Sequence, residues 1–420
     1  MKTIFRFLSV GFLLMSFIAI TGTVSRAQAQ DEKTALYNKF LENYPKKDIP
    51  SKKIAIDAAK QYIEKYPDDK EQVDYLTKWI PTAEQWIKDK EKQDRYDRFD
   101  TAFKASNFDE AYAAGKDILA TEPDNLDLIL TLGSIGYDQS LAKNNKYNDD
   151  TIRYAKLAIE KMNSGITSKN YGLKYPKYNY QYNNKDNALG WMNLYIGYIT
   201  YYSQGNKKDA LPYLFAATQA NSETKSRPDA FDPIGAYYFE DVTKLANEIQ
   251  AMIKEQQAMP ATATDEEKAK KDADIKAKIA MLNGTAERAL DAYSRAYSLA
   301  KANPKTKPYA DSLYKRLQTI YDIRFNKSTG LDEYIASTTA KPMPDPATAI
   351  TPVTDAEATP VSASTTTTTT PVAEKPAAPA GSTAKAAAAT AAPSDSATAT
   401  KAKPVTTTKK PVVAKKKGTR

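Results

Sequence analysis

One spacing recurs along this chain and restricts its fold more than any other feature. A small residue is followed four positions on by a second, usually small or aromatic, and three further on by an apolar one. Ala55, Ala59 and Tyr62 carry it, as do Ala111, Gly115 and Ile118. Thr151, Ala155 and Ala158 repeat it with a threonine in first place, and Ala210, Leu214 and Ala217 and then Ala289, Tyr293 and Ala296 repeat it again. Positions i, i+4 and i+7 share one face of an α-helix. Small side chains on that face let a second helix come close, so each triple is expected to be the seam of a helix hairpin. Ala55, Ala111, Ala155, Ala210 and Ala289 are the expected packing residues.

The punctuation between triples agrees with hairpins. Tyr66-Pro67-Asp68-Asp69 and Glu122-Pro123-Asp124-Asn125 each place a proline, which cannot extend a helix, before side chains that can cap the next one. Ser106 to Glu110 and Gln204 to Lys208 read as turns between paired helices. No alternation is long enough for a strand. The expected helices are 32–44, 51–66, 70–80, 81–105, 108–121, 126–143, 150–162, 187–203, 208–220, 233–258, 265–282, 286–301 and 309–325. Pro81 is expected to kink or restart the long third segment, and the last helix to close the domain.

The residues around the second triple resemble the tetratricopeptide repeat. Asn107-Phe108-Asp109-Glu110-Ala111 through Leu119 to Pro123-Asp124-Asn125 is similar to the second half of that repeat without a gap, and Leu132-Gly133 to the start of the next. Ala289 to Ala296 resembles another second helix. The intervals from Ala55 to Ala111, Thr151, Ala210 and Ala289 are unequal, and all exceed the about 34 residues of the family's repeat. Trp191 lies near the family's first-helix tryptophan but three residues out of register. The resemblance implies an all-α, tetratricopeptide-like helical-hairpin solenoid with insertions over 30–336, a fold that serves as a binding scaffold.

The insertion before Trp191 is the most unusual stretch. Tyr171, Tyr175, Tyr178, Tyr180 and Tyr182 fall close together among lysines and asparagines. A tyrosine offers a flat apolar face and a hydrogen-bonding tip, which suits glycan, peptide or aromatic ligands. These five residues and Trp191 are the candidate ligand contacts; the competing reading is that the rings pad the loop onto its neighbours. The acidic pairs Asp68-Asp69 and Asp149-Asp150, and the run Asp265-Glu266-Glu267, read as helix starts that complement the dipole.

The two ends are different material. Residues 1–29 open with Lys2 and Arg6, continue through an uncharged apolar run from Phe7, and end in Ala27-Gln28-Ala29. That order matches a secretory signal peptide cleaved before Gln30, with an uncleaved anchor as the alternative. From 337 the chain is Ala, Thr, Pro and Lys-rich, with too little apolar bulk for a core, so 337–420 is expected to be a disordered tail. It ends on Lys409, Lys410, Lys415, Lys416, Lys417 and Arg420. Much of the formal charge of +9 lies in these ends, leaving the body near neutral. A basic tail on an exported chain suits cell-wall or outer-membrane polyanions bound by charge, and makes nucleic acid a poor expectation.

Composition narrows the chemistry. With 0 cysteines and 0 histidines, the chain lacks disulfides, thiolate nucleophiles, the commonest general base and the commonest metal ligands. No phosphate loop or metal-ligand spacing is present. The expectation is therefore an exported scaffold of the periplasm or cell envelope, without catalysis, cofactor or metal, binding a protein or peptide partner. The alternative is a glycan-binding protein that uses the tyrosine loop 171–182. Starch-binding outer-membrane lipoproteins are similar in carrying aromatic insertions on this fold, but their lipid-anchor cysteine has no counterpart here.

Overall fold

The structure is a computed structural model that describes residues 26–354. The expected signal segment before Arg26 and the basic tail lysines 409–417 lie outside the described residues. Among the described residues there are twelve α-helices and no strand beyond one isolated bridge, so the all-α expectation holds. Two compact units divide at Pro123 and Asp124.

The first unit contains α1 (Arg26–Asn43), α2 (Ile49–Lys65), α3 (Lys70–Lys104) and α4 (Phe108–Leu119). Helix α2 packs on α1 and on α3, and α4 packs back on α3. Asp48 starts α2 by accepting a hydrogen bond from the Ser51 amide, with Pro50 in the first turn where its missing N–H costs nothing. Phe40, Ala55, Ala58, Ala59, Tyr62 and Leu76 form the core beneath. The restart expected as one alternative at Pro81 does not occur, and α3 is one helix through that proline. An interior proline costs about 3 kcal/mol. Leu76, Ala83 and Ile87 are buried on one face on both sides of it, and each fully buried large aliphatic side chain returns roughly 1.5–3 kcal/mol.

The second unit contains α5 (Leu126–Leu141), α6 (Asn148–Asn163), α7 (Lys185–Tyr198), α8 (Lys207–Gln219), α9 (Pro228–Gln257), α10 (Asp265–Lys301), α11 (Lys307–Phe325) and α12 (Leu331–Thr339). Neighbours in sequence pack as pairs, α5 with α6, α7 with α8 and, most extensively, α9 with α10. A π-helical turn, Ile199–Ser203, finishes α7. The recurring triples fall on α2, α4, α6, α8 and α10, the second member of each pair, and every residue of every triple is buried. Ala55, Ala111, Ala155, Ala210 and Ala289 are each 0 % exposed. How close these seams are is seen at Gly136 on α5: a Cβ there would lie 2.0 Å from Thr151 Oγ1 of α6.

Two expectations change near the C-terminus. Helix α10 runs unbroken through Asn283, Gly284 and Thr285, where two helices were expected. Local chemistry favours a break there, because an interior glycine costs about 1 kcal/mol against alanine. Tertiary packing overrides it: all three residues are buried, and a Cβ on Gly284 would lie 2.1 Å from the Thr351 carbonyl oxygen. Nor does α11 close the domain. Helix α12 follows, and residues 340–354 then lie along α10 with a turn at Asp345–Thr348, so the tail boundary at 337 is set too early. Composition misleads because this segment needs no core of its own. Side chains of α10, far away in sequence, hydrogen-bond its carbonyls.

Candidate functional site

The tyrosine loop doubles back on itself between α6 and α7. Lys174 and Asn179 form the bridge, the Tyr175 amide donates to the Tyr178 carbonyl at 2.7 Å, and the Tyr180 amide to the Leu173 carbonyl at 3.0 Å. The turn needs a glycine at 172, where φ is +125° and a Cβ would lie 1.9 Å from the Tyr180 carbonyl oxygen. Helix α5 holds the loop through two polar side chains. Asp127 accepts from the Gly172 amide at 2.7 Å and from the Ser168 hydroxyl, and Thr131 Oγ1 accepts from the Leu173 amide at 3.1 Å.

That geometry divides the expected ligand contacts. Tyr180, Tyr182 and Trp191 are 1 %, 0 % and 1 % exposed, so in this structure they are core residues with no surface to offer a ligand. Tyr180 OH donates to Asp138 at 2.8 Å, and Tyr182 OH bridges Ser134 Oγ at 2.5 Å and Tyr195 OH at 3.2 Å. The Arg227 guanidinium lies 4.9 Å from the centre of the Trp191 ring. Polar groups that a loop buries need partners, and tyrosine can fill apolar space while its hydroxyl satisfies a buried partner. Padding therefore accounts for these three. Tyr171, Tyr175 and Tyr178 are half-buried and keep part of their surface.

Burial also governs titration here. Desolvation pushes the Asp138 carboxyl up to about 6, although the Tyr180 hydroxyl favours its charged form. It holds the Tyr180, Tyr182 and Tyr195 hydroxyls protonated well above their ordinary range. Asp232 of α9, 3 % exposed, accepts from Tyr309 OH at 2.8 Å and from Arg316 Nη1 at 3.1 Å, both on α11. Desolvation raises its carboxyl too, outweighing Arg316 and Tyr309. Each of these groups is hydrogen-bonded to a neighbouring side chain.

The acidic pairs have local partners. Asp69 precedes α3 and makes no side-chain cap bond; it takes the Tyr62 hydroxyl and the Lys33 ammonium, the latter at 2.7 Å. Asp150 pairs with Arg153 in the first turn of α6, and Thr264 with Glu267 completes a capping box on α10.

A feature absent from the sequence reading lies in the first unit. Tyr44, Pro45 and Lys47 from the α1–α2 turn, Lys52 from α2, and Trp79, Thr82, Ala83 and Trp86 from α3 line an open groove of about 460 Å³. Phe40 meets Trp79 edge to face at 4.9 Å and fixes that ring. The Lys52 ammonium stands 5.8, 5.8 and 5.7 Å from the ring centres of Tyr44, Trp79 and Trp86, and donates to the Tyr44 carbonyl. Among the described residues no carboxylate pairs with it. The heptad spacing of Trp79 and Trp86 on one helix face is the signal that sequence held; the approach of Tyr44 is a long-range contact that it did not.

Comparison with protein-family models, curated proteins and solved structures finds no match to this chain. Among the described residues no helix is long and apolar enough to cross a membrane, and no cluster of three or more His, Cys, Asp or Glu side chains could hold a metal ion.

Proposed function

We propose that this chain is an exported, tetratricopeptide-like scaffold of the cell envelope that binds a protein or peptide partner, its basic tail tethering it to polyanionic envelope material. One observation carries the reading: the same small-residue seam is buried on the second helix of five successive pairs. Repeated hairpins of this kind build extended binding surfaces rather than a single enclosed pocket. In the first unit the partner contact is the groove of Tyr44, Lys52, Trp79 and Trp86. Flat rings around a cation without a carboxylate partner suit a peptide that brings an aromatic or proline ring together with an acidic group.

A photo-crosslinking residue at Thr82, inside the groove, tests this in the intact envelope. The expected result is one discrete protein adduct that is lost in Trp86→Ala and absent when the crosslinker is moved to the exposed Lys88. No adduct from Thr82, or equal labelling from Lys88, would overturn it. The glycan reading now rests on Tyr171, Tyr175 and Tyr178. It predicts glycan-array binding that disappears when these three are changed to alanine.

A further inference from the structure

The segment after α12 has the properties of a peptide ligand seated on a helix. Its backbone is held by α10 side chains. Arg295 Nη2 donates to the Lys341 carbonyl at 2.6 Å, and also to the Thr338 carbonyl in the last turn of α12 at 3.2 Å; Arg288 Nη1 donates to the Asp345 carbonyl at 3.0 Å. Arg288 Nη2 also reaches Thr348 Oγ1 at 2.7 Å. Val353 is gripped at both polar groups: its carbonyl accepts from Asn283 Nδ2 at 3.1 Å, and its amide donates to the Ala280 carbonyl at 2.8 Å. Contacts to carbonyls and amides read the backbone, including its turn at Asp345–Thr348, with little regard to side chains.

Side-chain selectivity is confined to a few positions. Met343, Pro346, Ile350 and Val353 are half-buried, while the residues between them are exposed. Prolines at 342, 344 and 352 favour an extended chain and Pro346 pre-sets the φ of the turn, which lowers the entropy lost on docking.

The helix is adapted to this occupant. Gly284 sits where the Thr351 carbonyl comes closest, and any side chain there would displace the segment. Asp291 holds the Arg295 guanidinium in a two-point pair at 2.7 and 3.1 Å, aiming its remaining N–H groups at the segment. Yet most of the segment stays in water, so its hold depends heavily on tethering. A short tether raises the local concentration to the millimolar range without adding contacts.

We propose that this face of α10 is a groove for proline-spaced peptides that turn once along it, as the resident segment does at Asp345–Thr348, and that residues 341–353 occupy it as an intramolecular competitor. The partner is a peptide with apolar anchors at the spacing of Met343, Pro346, Ile350 and Val353. It displaces the resident segment and frees the tail that follows. The inference deepens the scaffold reading, and rests on it for the existence of a partner.

The test uses the full chain and a fluorescent synthetic peptide of residues 340–354. Ile350→Asp with Val353→Asp weakens the resident segment and leaves the groove intact. Fluorescence anisotropy should show this variant binding the peptide about tenfold or more tighter than the unaltered chain, as release of a tethered competitor requires. Adding Gly284→Val should abolish that binding. A folded double variant that fails to bind the peptide, or an unaltered chain that binds it equally well, would sink the proposal.

If the double variant does not fold, Ala349→Cys supplies a single labelling site, because the chain has no other cysteine. Excess unlabelled peptide should then mobilise the label, and an unchanged label also counts against the groove. Neither readout depends on an envelope partner, so a negative Thr82 crosslink with a positive peptide result would separate failure of the scaffold reading from failure of this one.

Discussion

Replacing Arg316 with methionine should destabilise the second unit by about 3–5 kcal/mol at neutral pH. Asp232 is buried, and its carboxylate has two partners from α11, Tyr309 OH and Arg316 Nη1. Removing the cation leaves a buried carboxylate with one neutral donor, and breaking a buried pair in this way costs about 3–5 kcal/mol. Lys307 and Asp311 on the same helix are the control, since their side chains are 73 % and 56 % exposed. Such a surface pair contributes about 0–1 kcal/mol, so Lys307→Met should move little. Combining Asp232→Asn with Arg316→Met removes the stranded charge and should recover most of the loss. The pH dependence follows from the raised carboxyl of Asp232. A carboxyl whose folded pKa exceeds its unfolded one binds more protons in the native state between the two values. Stability therefore increases as pH falls through the folded pKa. Without Arg316 that pKa rises further, so the deficit of Arg316→Met should shrink on acidification and widen toward neutrality. Urea melts at pH 5 and 7.5, followed by Trp191 fluorescence in a Trp79→Phe, Trp86→Phe background, would measure it. An Arg316→Met deficit no larger than that of Lys307→Met at both pH values would refute the argument.

Three further outcomes are expected. Ala111→Leu should overpack the α3–α4 seam, where Ala111 is 0 % exposed, and cost about 1–3 kcal/mol in a chemical melt; an unchanged midpoint would contradict the seam. Asp138, pushed up to about 6 by burial, should withdraw stability as pH rises from about 4 through that value. In Asp138→Asn this part of the pH–stability slope should be missing. Deleting 355–420 should leave the melting transition unaltered while weakening salt-sensitive adhesion to envelope polyanions. Deleting from 337 should also lower stability, because it removes the segment that α10 holds, and equal melts for the two deletions would argue that this segment contributes nothing.

Much of the helical architecture was legible from single residues and their spacing. The triples at Ala55, Ala111, Thr151, Ala210 and Ala289 identify helix faces because a period of 3.6 residues is local. Asn125 marks a helix start because a cap reaches only two or three residues forward. Breaker residues were the weak point. Pro81 and Gly284 each oppose a helix locally, and both lie inside one, since buried neighbours on the same face outweigh a local cost of about 1–3 kcal/mol.

What the sequence by itself determined was the class of material: helices with close-packing faces, no cysteine or histidine chemistry, and the net positive charge at the ends. Which aromatic residues face water was decided only by the tertiary structure. Tyr180, Tyr182 and Trp191 went inside, while Tyr44 from the α1–α2 turn and Trp79 and Trp86 from α3 came to line a groove. The course of residues 340–354 was decided in the same way. Composition describes a segment's ability to build a core of its own, but Arg288, Arg295 and Asn283 supply a partner for this one from more than 40 residues away in sequence. Helical periodicity is a short-range property of the chain; exposure and docking depend on which distant surfaces folding brings together.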